Sequence, residues 1–158
     1  MNSRLMVFTL LATAFLAVDA FACGDSLYRV GKGISYRVYT APLPGSVLVY
    51  GQTEGAKQLA EELARSGHGV RLVSSDQELK SELETGSYDV VIAAYSDHTA
   101  VESTVGASAN SRTTYLPVAQ SDEEEALAKQ NYDRVMMAQK DDIKHYLKAI
   151  HKTLKANT

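Results

Sequence analysis

From Ser46 onward, short apolar runs alternate with segments whose apolar residues recur at helical spacing. The first three runs are Val47–Tyr50, Val70–Val73 and Val90–Ala94. Mostly apolar runs of this length are typical of strands that are covered on both faces, as in a parallel sheet. The segments between them have the length of the crossover helices that parallel strands need. The alternation therefore predicts an α/β domain around a central, mostly parallel sheet.

Two later runs complete the predicted sheet. Thr114–Val118 and Val135–Ala138 predict a fourth and a fifth strand. Pro117 has no backbone N–H to donate, so we expect the fourth strand to lie near an edge or to end early. Five strand–helix units over residues 46–158 favour a doubly wound, flavodoxin-like, five-stranded sheet.

Helix start and stop signals lie between the predicted strands. Ser75–Glu78 and Ser121–Glu124 each match a capping box, which satisfies free N–H groups at a helix N-terminus. Gly67 is placed to end the first helix, and Thr99–Ser108 is a weaker helix candidate. A last helix that opens at Asp141-Asp142 is predicted to bury the stripe Ile143, Tyr146, Leu147, Ile150 and Leu154.

Two segments of this domain resemble response-regulator receiver domains. Tyr88–Ala94 resembles the acid-led apolar strand that ends at the receiver's phospho-accepting Asp. Val135–Asp142, which leads into Leu147–Ile150, resembles the receiver's fifth strand and final helix. The likeness covers most of residues 46–158, and it implies a functional edge at the carboxyl ends of the strands.

The positions that would carry receiver chemistry hold other residue types. The resemblance places the magnesium-binding acid pair on Gly51 and Gln52, and the phosphate acceptor on Ala94. None of these three residues has a carboxylate, so we expect no acid at this edge. Because magnesium needs oxygen ligands and an acyl phosphate needs a carboxylate, we also expect no phosphotransfer. The family's phosphate-pairing Lys and hydroxyl residue fall on Gln139, with Lys140 next to it, and on Val118 or Ala119.

The loop after the first predicted strand also has the position of an anion site. It joins a strand to a helix N-terminus, where backbone N–H groups attract phosphate, and flavodoxins bind FMN with such a loop. Glu54 adds negative charge there, and an ordinary turn with a helix start is the simpler interpretation. The candidate ligand-binding residues are Gly51, Gln52, Thr53, Gly55, Tyr95 and Gln139.

Other chemistry finds little support in the residue pattern. Asp97, His98 and Glu102 could converge on a metal if a helix starts at Asp97, since residues four apart share a helix face, but no further ligand nearby completes a metal site. A formal net charge of −3 gives no basic footprint for nucleic acid. We therefore expect no metal and no nucleic-acid partner, and we favour a non-catalytic domain over an enzyme with an unfamiliar site.

Residues 1–22 have the pattern of a signal peptide. Arg4 precedes the apolar stretch Leu5–Val18, and Ala20-Phe21-Ala22 is a small-x-small cleavage site. The apolar stretch is shorter than the about 20 residues that span a bilayer, which favours cleavage over anchoring. The pattern predicts export to the periplasm or the extracellular space.

Cys23, the single Cys of the chain, directly follows the predicted cleavage site. A Cys at the first mature position is a lipidation candidate, and lipidation would attach the protein to a membrane. Ala20 and Phe21 differ from the Leu-like and small residues that usually precede such a Cys. A free N-terminal thiol is therefore the alternative.

Residues 23–45 predict an N-terminal hairpin followed by a linker. Ser26–Val30 and Ile34–Tyr39 alternate apolar and polar residues around Gly31-Lys32-Gly33, which supplies a turn. Ala41–Gly45 contains two Pro residues and interrupts regular structure. The hairpin combines aromatic and cationic side chains, which fit either a partner surface or an ordinary strand face.

Two functions are consistent with these features. The first is an exported, non-catalytic receiver-like module that binds or regulates an unidentified protein partner and needs no cofactor. The second is a domain that binds a small ligand, such as FMN or a nucleotide. We favour the first because inert residue types occupy the positions of receiver chemistry.

We expect the protein purified from its envelope fraction to begin at Cys23. Intact mass spectrometry would then find a chain of residues 23–158, with or without the added mass of a lipid on Cys23. A mature protein that still carries Met1 to Ala22 would contradict the signal-peptide prediction.

Overall fold

The computed structural model describes residues 40–108 and 112–157. Five strands form one sheet: β1 Ser46–Tyr50, β2 Gly69–Val73, β3 Val90–Ala94, β4 Thr114–Ala119 and β5 Met136–Met137. Their order is β2-β1-β3-β4-β5, and every neighbouring pair is parallel. This confirms the predicted flavodoxin-like α/β fold. The helices are α1 Glu54–Arg65, α2 Asp76–Thr85, α3 His98–Ala107, α4 Asp122–Ala128 and α5 Ile143–Ala156.

The predicted signal peptide, Cys23 and both strands of the predicted hairpin lie outside the described residues. Within residues 40–108 and 112–157, no helix is both long enough and apolar enough to cross a membrane. The described residues comprise the sheet, its helices and the predicted linker Ala41–Gly45.

Two apolar cores lie on opposite faces of the sheet. Val47 and Val49 of β1 enter the core that α1 and α5 cover, while Leu48 between them enters the core under α2 and α3. This division follows from the period of two residues in a strand. The predicted stripe of α5 is buried in the first core, at Ile143, Tyr146, Leu147, Ile150 and Leu154.

The N-terminal caps of α2 and α4 differ from the predicted capping boxes in their second bond. The Ser75 side chain accepts a hydrogen bond from the N–H of Glu78, as predicted. The Glu78 side chain, however, accepts from the N–H of Ser74 at 2.8 Å, one residue before the cap. Each Glu therefore fixes the loop that enters its helix. The same pattern recurs in α4 with Ser121, Glu124 and Gln120.

The strand that contains Pro117 does not end early. β4 has six residues, of which five are buried, and it lies one strand from the sheet edge. β5 pairs with β4 only at Val118 and Ala119. Pairing on that side thus begins after Pro117, so the missing N–H interrupts no bond to β5. β5 is shorter than predicted, with Met136–Met137 instead of Val135–Ala138.

The segment that leads into β1 is hydrogen-bonded to the turn between α1 and β2. Gly67 has a φ of 99° in this turn, the left-handed conformation that ends a helix. The Ala41 N–H donates to the Ser66 carbonyl at 2.7 Å, and the Gly69 N–H donates to the Gly45 carbonyl at 3.0 Å. Residues 41–45 have no regular structure, as predicted, but Ala41 is buried in the α1–α5 core.

His68 occupies the same turn and is buried, with 6% of its surface exposed. Its Nδ1 accepts a hydrogen bond from the Gly45 N–H at 3.1 Å. Burial lowers the pKa of His68 below the ordinary 6.5. The neutral ring is therefore the form that holds the entrance to β1.

We expect His68 to make the free energy of unfolding fall at acid pH. Because the pKa of His68 is lower in the folded state, the unfolded chain takes up the proton first. The stabilisation is complete above the unfolded pKa of about 6.5 and is lost as the pH falls toward the folded pKa. Urea unfolding at several pH values would measure the slope. His68→Gln should remove this part of the slope, and an unchanged slope would contradict the assignment.

Candidate functional site

A cleft opens at the carboxyl edge of the sheet, between the ends of β1 and β3. The strand order reverses between these two strands, which is where doubly wound sheets leave a crevice. The cleft has a volume of about 230 Å³. Seven residues line it: Tyr50, Gly51, Gln52, Thr53, Ser74, Ala94 and Asp97.

The loop after β1 supplies three of the predicted site residues, and most of its polar groups bind the protein itself. The Gly51 N–H donates to the Val73 carbonyl at 3.0 Å. The Gln52 amide donates to the Ser74 carbonyl at 2.7 Å, and the Thr53 hydroxyl accepts from the Ala56 N–H as the cap of α1. These contacts join β1, β2 and α1 around the cleft.

The other three predicted site residues lie outside the cleft lining. Gly55 is buried in the first turn of α1. Tyr95 stacks on His98 with ring centroids 4.8 Å apart and meets the edge of Tyr132. Gln139 is exposed beyond β5, and its amide lies 3.5 Å from the Gln120 carbonyl. The structure thus brings Gly51, Gln52 and Thr53 together but does not add the other three.

Asp97 brings a carboxylate to this edge, where none was expected. A 3-10 turn over Tyr95–Asp97 follows β3 directly and brings Asp97 back to the cleft. The apolar run of β3 ends at Ala94, so the alignment with receivers stops three residues too early to detect this acid. Its sequence signal was a short polar stretch between a buried strand and a helix, where Asp97 was considered as a metal ligand but not as part of this edge.

The three residues considered for a metal site do not converge on one point, and two of them bond to separate partners. Asp97 lines the cleft, and the His98 Nδ1 lies 2.8 Å from the Tyr95 carbonyl oxygen. The Glu102 carboxylate accepts a hydrogen bond from the Tyr132 hydroxyl at 2.5 Å. In the part of the chain that the structure describes, no three His, Cys, Asp or Glu residues are placed to hold a metal ion.

Tyr50 connects the end of β1 with the start of α2. Its hydroxyl donates to the Asp76 carboxylate at 2.5 Å. Partial burial raises the pKa of Tyr50, and the negative charges of Asp76 and, more weakly, Asp97 raise it further. Tyr50 is therefore a neutral hydrogen-bond donor at the cleft rather than a base or a nucleophile.

Tyr115 anchors the end of β3 from the neighbouring strand. Its hydroxyl donates to the Ala94 carbonyl at 2.9 Å in a buried contact. Burial raises the pKa of Tyr115 strongly, so the hydroxyl keeps its proton. Ala94, which the sequence resemblance aligns with the receiver's phosphate acceptor, is thus fixed through its backbone, and its side chain is a methyl group.

The positively charged residue next to the predicted site is already paired. Lys140 contacts the Asp122 carboxylate at the start of α4, in an exposed ion pair. This contact raises the pKa of Lys140 and lowers that of Asp122. The pair links the loop after β5 to the first turn of α4.

No protein-family model matches the chain, and no curated protein matches it. Two solved structures share its fold. One is described as the pilus assembly protein CpaE of Caulobacter crescentus, with a TM-score of 0.52 and 8% identity over 73% of this chain and 97% of that one. The other is described as the pilus assembly protein CpaE2 of Sinorhizobium meliloti, with a TM-score of 0.51 and 12% identity over 68% and 98%. At these identities the likeness concerns the fold.

We expect Tyr115→Phe to lower the free energy of unfolding by about 1–3 kcal/mol, because it leaves the buried Ala94 carbonyl without a donor. Tyr132→Phe is the matched control: it also removes one hydroxyl, but its partner Glu102 is exposed and can bind water. The control should cost less than about 1 kcal/mol. Urea unfolding of both variants measures the difference, and equal losses would contradict the anchoring role of Tyr115.

Proposed function

We propose that this chain is an exported, non-catalytic, receiver-like domain that acts by binding a protein partner. The observation that supports this most directly is the residue content at the ends of β1 and β3. Gly51, Gln52 and Ala94 stand where a receiver holds its acid pair and its phosphate acceptor. None of the three has a carboxylate, so the fold is kept without the groups that phosphotransfer requires.

Asp97 does not restore this chemistry. A hard divalent cation takes several oxygen ligands, and receivers combine an acid pair with a separate acceptor carboxylate. Asp97 is one carboxylate among seven lining residues, and it lies one 3-10 turn beyond the end of β3. The cleft therefore has one acid where the reaction needs at least two with distinct roles.

The cleft also disfavours the alternative of an FMN or nucleotide site. Pockets for ligands of that size have volumes of roughly 300–1,000 Å³, and this cleft has about 230 Å³. Asp97 lines it, and the Asp76 carboxylate binds Tyr50 at its rim, so a phosphate would meet negative charge. The Thr53 hydroxyl already accepts the Ala56 N–H.

The two structural neighbours give this proposal a direction. Both are described as pilus assembly proteins. We extend that description to this chain as a proposal: a domain of this fold would act by contact with other proteins of an envelope assembly. Export through residues 1–22 would place it on the outer side of the cytoplasmic membrane, and lipidation of Cys23 would hold it at that surface.

A phosphorylation assay tests the non-catalytic assignment. The purified chain is incubated with acetyl phosphate and Mg²⁺, beside an active receiver domain as positive control, and its intact mass is measured. We expect no phosphoryl adduct on this chain, because Gly51, Gln52 and Ala94 offer no acid pair and no acceptor.

A phosphoryl adduct that hydroxylamine removes would overturn the assignment, since acyl phosphates are labile to that reagent. The Asp97→Asn variant would then identify the acceptor: loss of the adduct would assign the chemistry to Asp97. Native mass spectrometry of the protein from its envelope fraction separates the two functions. A retained mass equal to that of a flavin or nucleotide would favour ligand binding, whereas a stoichiometric protein would support the interaction module.

A further inference from the structure

β2 is an edge strand with one side unpaired among the described strands. It pairs with β1 alone. Gly69 donates its N–H to the Gly45 carbonyl, and the Val73 carbonyl accepts the Gly51 N–H, so both residues direct these groups toward β1. Because directions alternate along a strand, Val70 and Leu72 direct their N–H and C=O groups to the outer side. This outer edge can therefore form the bonds of one more strand.

The side chains at this edge separate into an apolar and a polar face. Val70 and Leu72 are partly buried against the α1–α5 core. Arg71, between them, lies on the other face, where its Nε is 3.0 Å from the Glu82 carboxylate. A strand added beside β2 would extend the core if it placed apolar residues next to Val70 and Leu72.

The chain itself passes this edge before it enters β1. Ala41 is bonded to Ser66, three residues before β2 begins, and Gly45 is bonded to His68 and Gly69. The residues before Ala41 therefore leave from the amino end of β2. Tyr39 is two positions before Ala41, so a strand that ends at Tyr39 must end close to the amino end of β2.

The segment Ile34–Tyr39 has the pattern that the edge requires. Its six residues compare with the five of β2, and Ile34, Tyr36 and Val38 alternate with Ser35 and Arg37. Residues 24–39 contain Arg29, Lys32 and Arg37 but a single acid, Asp25, whereas the rest of the mature domain has more acids than bases. Charge thus also favours contact between this segment and the domain.

We propose that Ile34–Tyr39 pairs antiparallel with the outer edge of β2 as a sixth strand of its own sheet. The direction follows because the segment must end at the amino end of β2. Two registers match the apolar faces and keep Ala41 beside Ser66, to which its N–H donates. One sets Arg37 opposite Arg71 and is disfavoured, because like charges directly opposite each other are destabilising. The other, which we adopt, sets Tyr36 opposite Val70 and Ile34 opposite Leu72.

Such a strand would close the edge in the folded protein. An open edge offers free backbone groups to any other chain, and covering it is a common protection. This inference concerns a surface away from the cleft and does not depend on what the cleft does.

Disulfide trapping tests the register in the full mature chain. Cys23→Ser removes the native thiol, and Tyr36→Cys with Val70→Cys places two thiols on residues that the register sets opposite each other. Mild oxidation should give an intramolecular disulfide in most of the monomer, identified by intact mass and peptide mapping. The matched control combines Tyr36→Cys with Leu127→Cys, an exposed residue on α4, which packs against β4 on the far side of the sheet from β2. It should give at most about a tenth of that yield, because Cys residues whose Cα atoms lie more than about 7 Å apart cannot be bridged without backbone movement.

Equal yields in the two variants, or no disulfide in a chain with native circular dichroism, would overturn the proposal. A disulfide-linked dimer would also overturn it, because a second copy would then occupy the edge. Amide exchange by NMR adds an independent measurement without cysteines. The Val70 and Leu72 amides should exchange about tenfold faster or more in Tyr36→Pro than in the unmodified chain, and equal rates would exclude the pairing.

Discussion

The rest of the structure depends on the complete burial of β3. All five of its residues are buried, and β1 and β4 pair with it on either side. Ile92 fills the core under α1 and α5, while Val91 and Ala93 fill the core under α2 and α3. Every element of the domain therefore packs on β3 or on its immediate neighbours, and the end of this strand determines where the cleft lies.

The burial pattern explains how much of the fold could be predicted from the sequence. A strand covered on both faces must be apolar at every position, and the helices above it must repeat apolar residues at every third or fourth place, so both periods are legible. The positions of His68 and Asp97 in the fold could not be predicted, because a tight turn determines each of them. A turn's path depends on contacts distant in sequence, such as that between Gly45 and His68. The predictions for residues 1–39 concern a part of the chain that the structure does not describe.

At the cleft, side chains that suggest ligand binding serve the protein's own architecture. Gln52 bonds the loop after β2, Thr53 caps α1, and Tyr50 bonds the first turn of α2. A flavodoxin-like sheet needs its loops fixed whatever chemistry it carries, and these bonds do so. The site therefore combines the position of a functional edge with the contacts of a structural one, which is why residue type alone pointed to two functions.

The brevity of β5 has a consequence for the solubility of the protein. An edge strand of two residues is too short to seed a fibril. Four consecutive acids in the first turn of α4 also repel other copies of the chain. Aggregation during overproduction would therefore start from β2, at the opposite margin of the described sheet. Conditions that cover that margin would then improve the yield more than any change near β5.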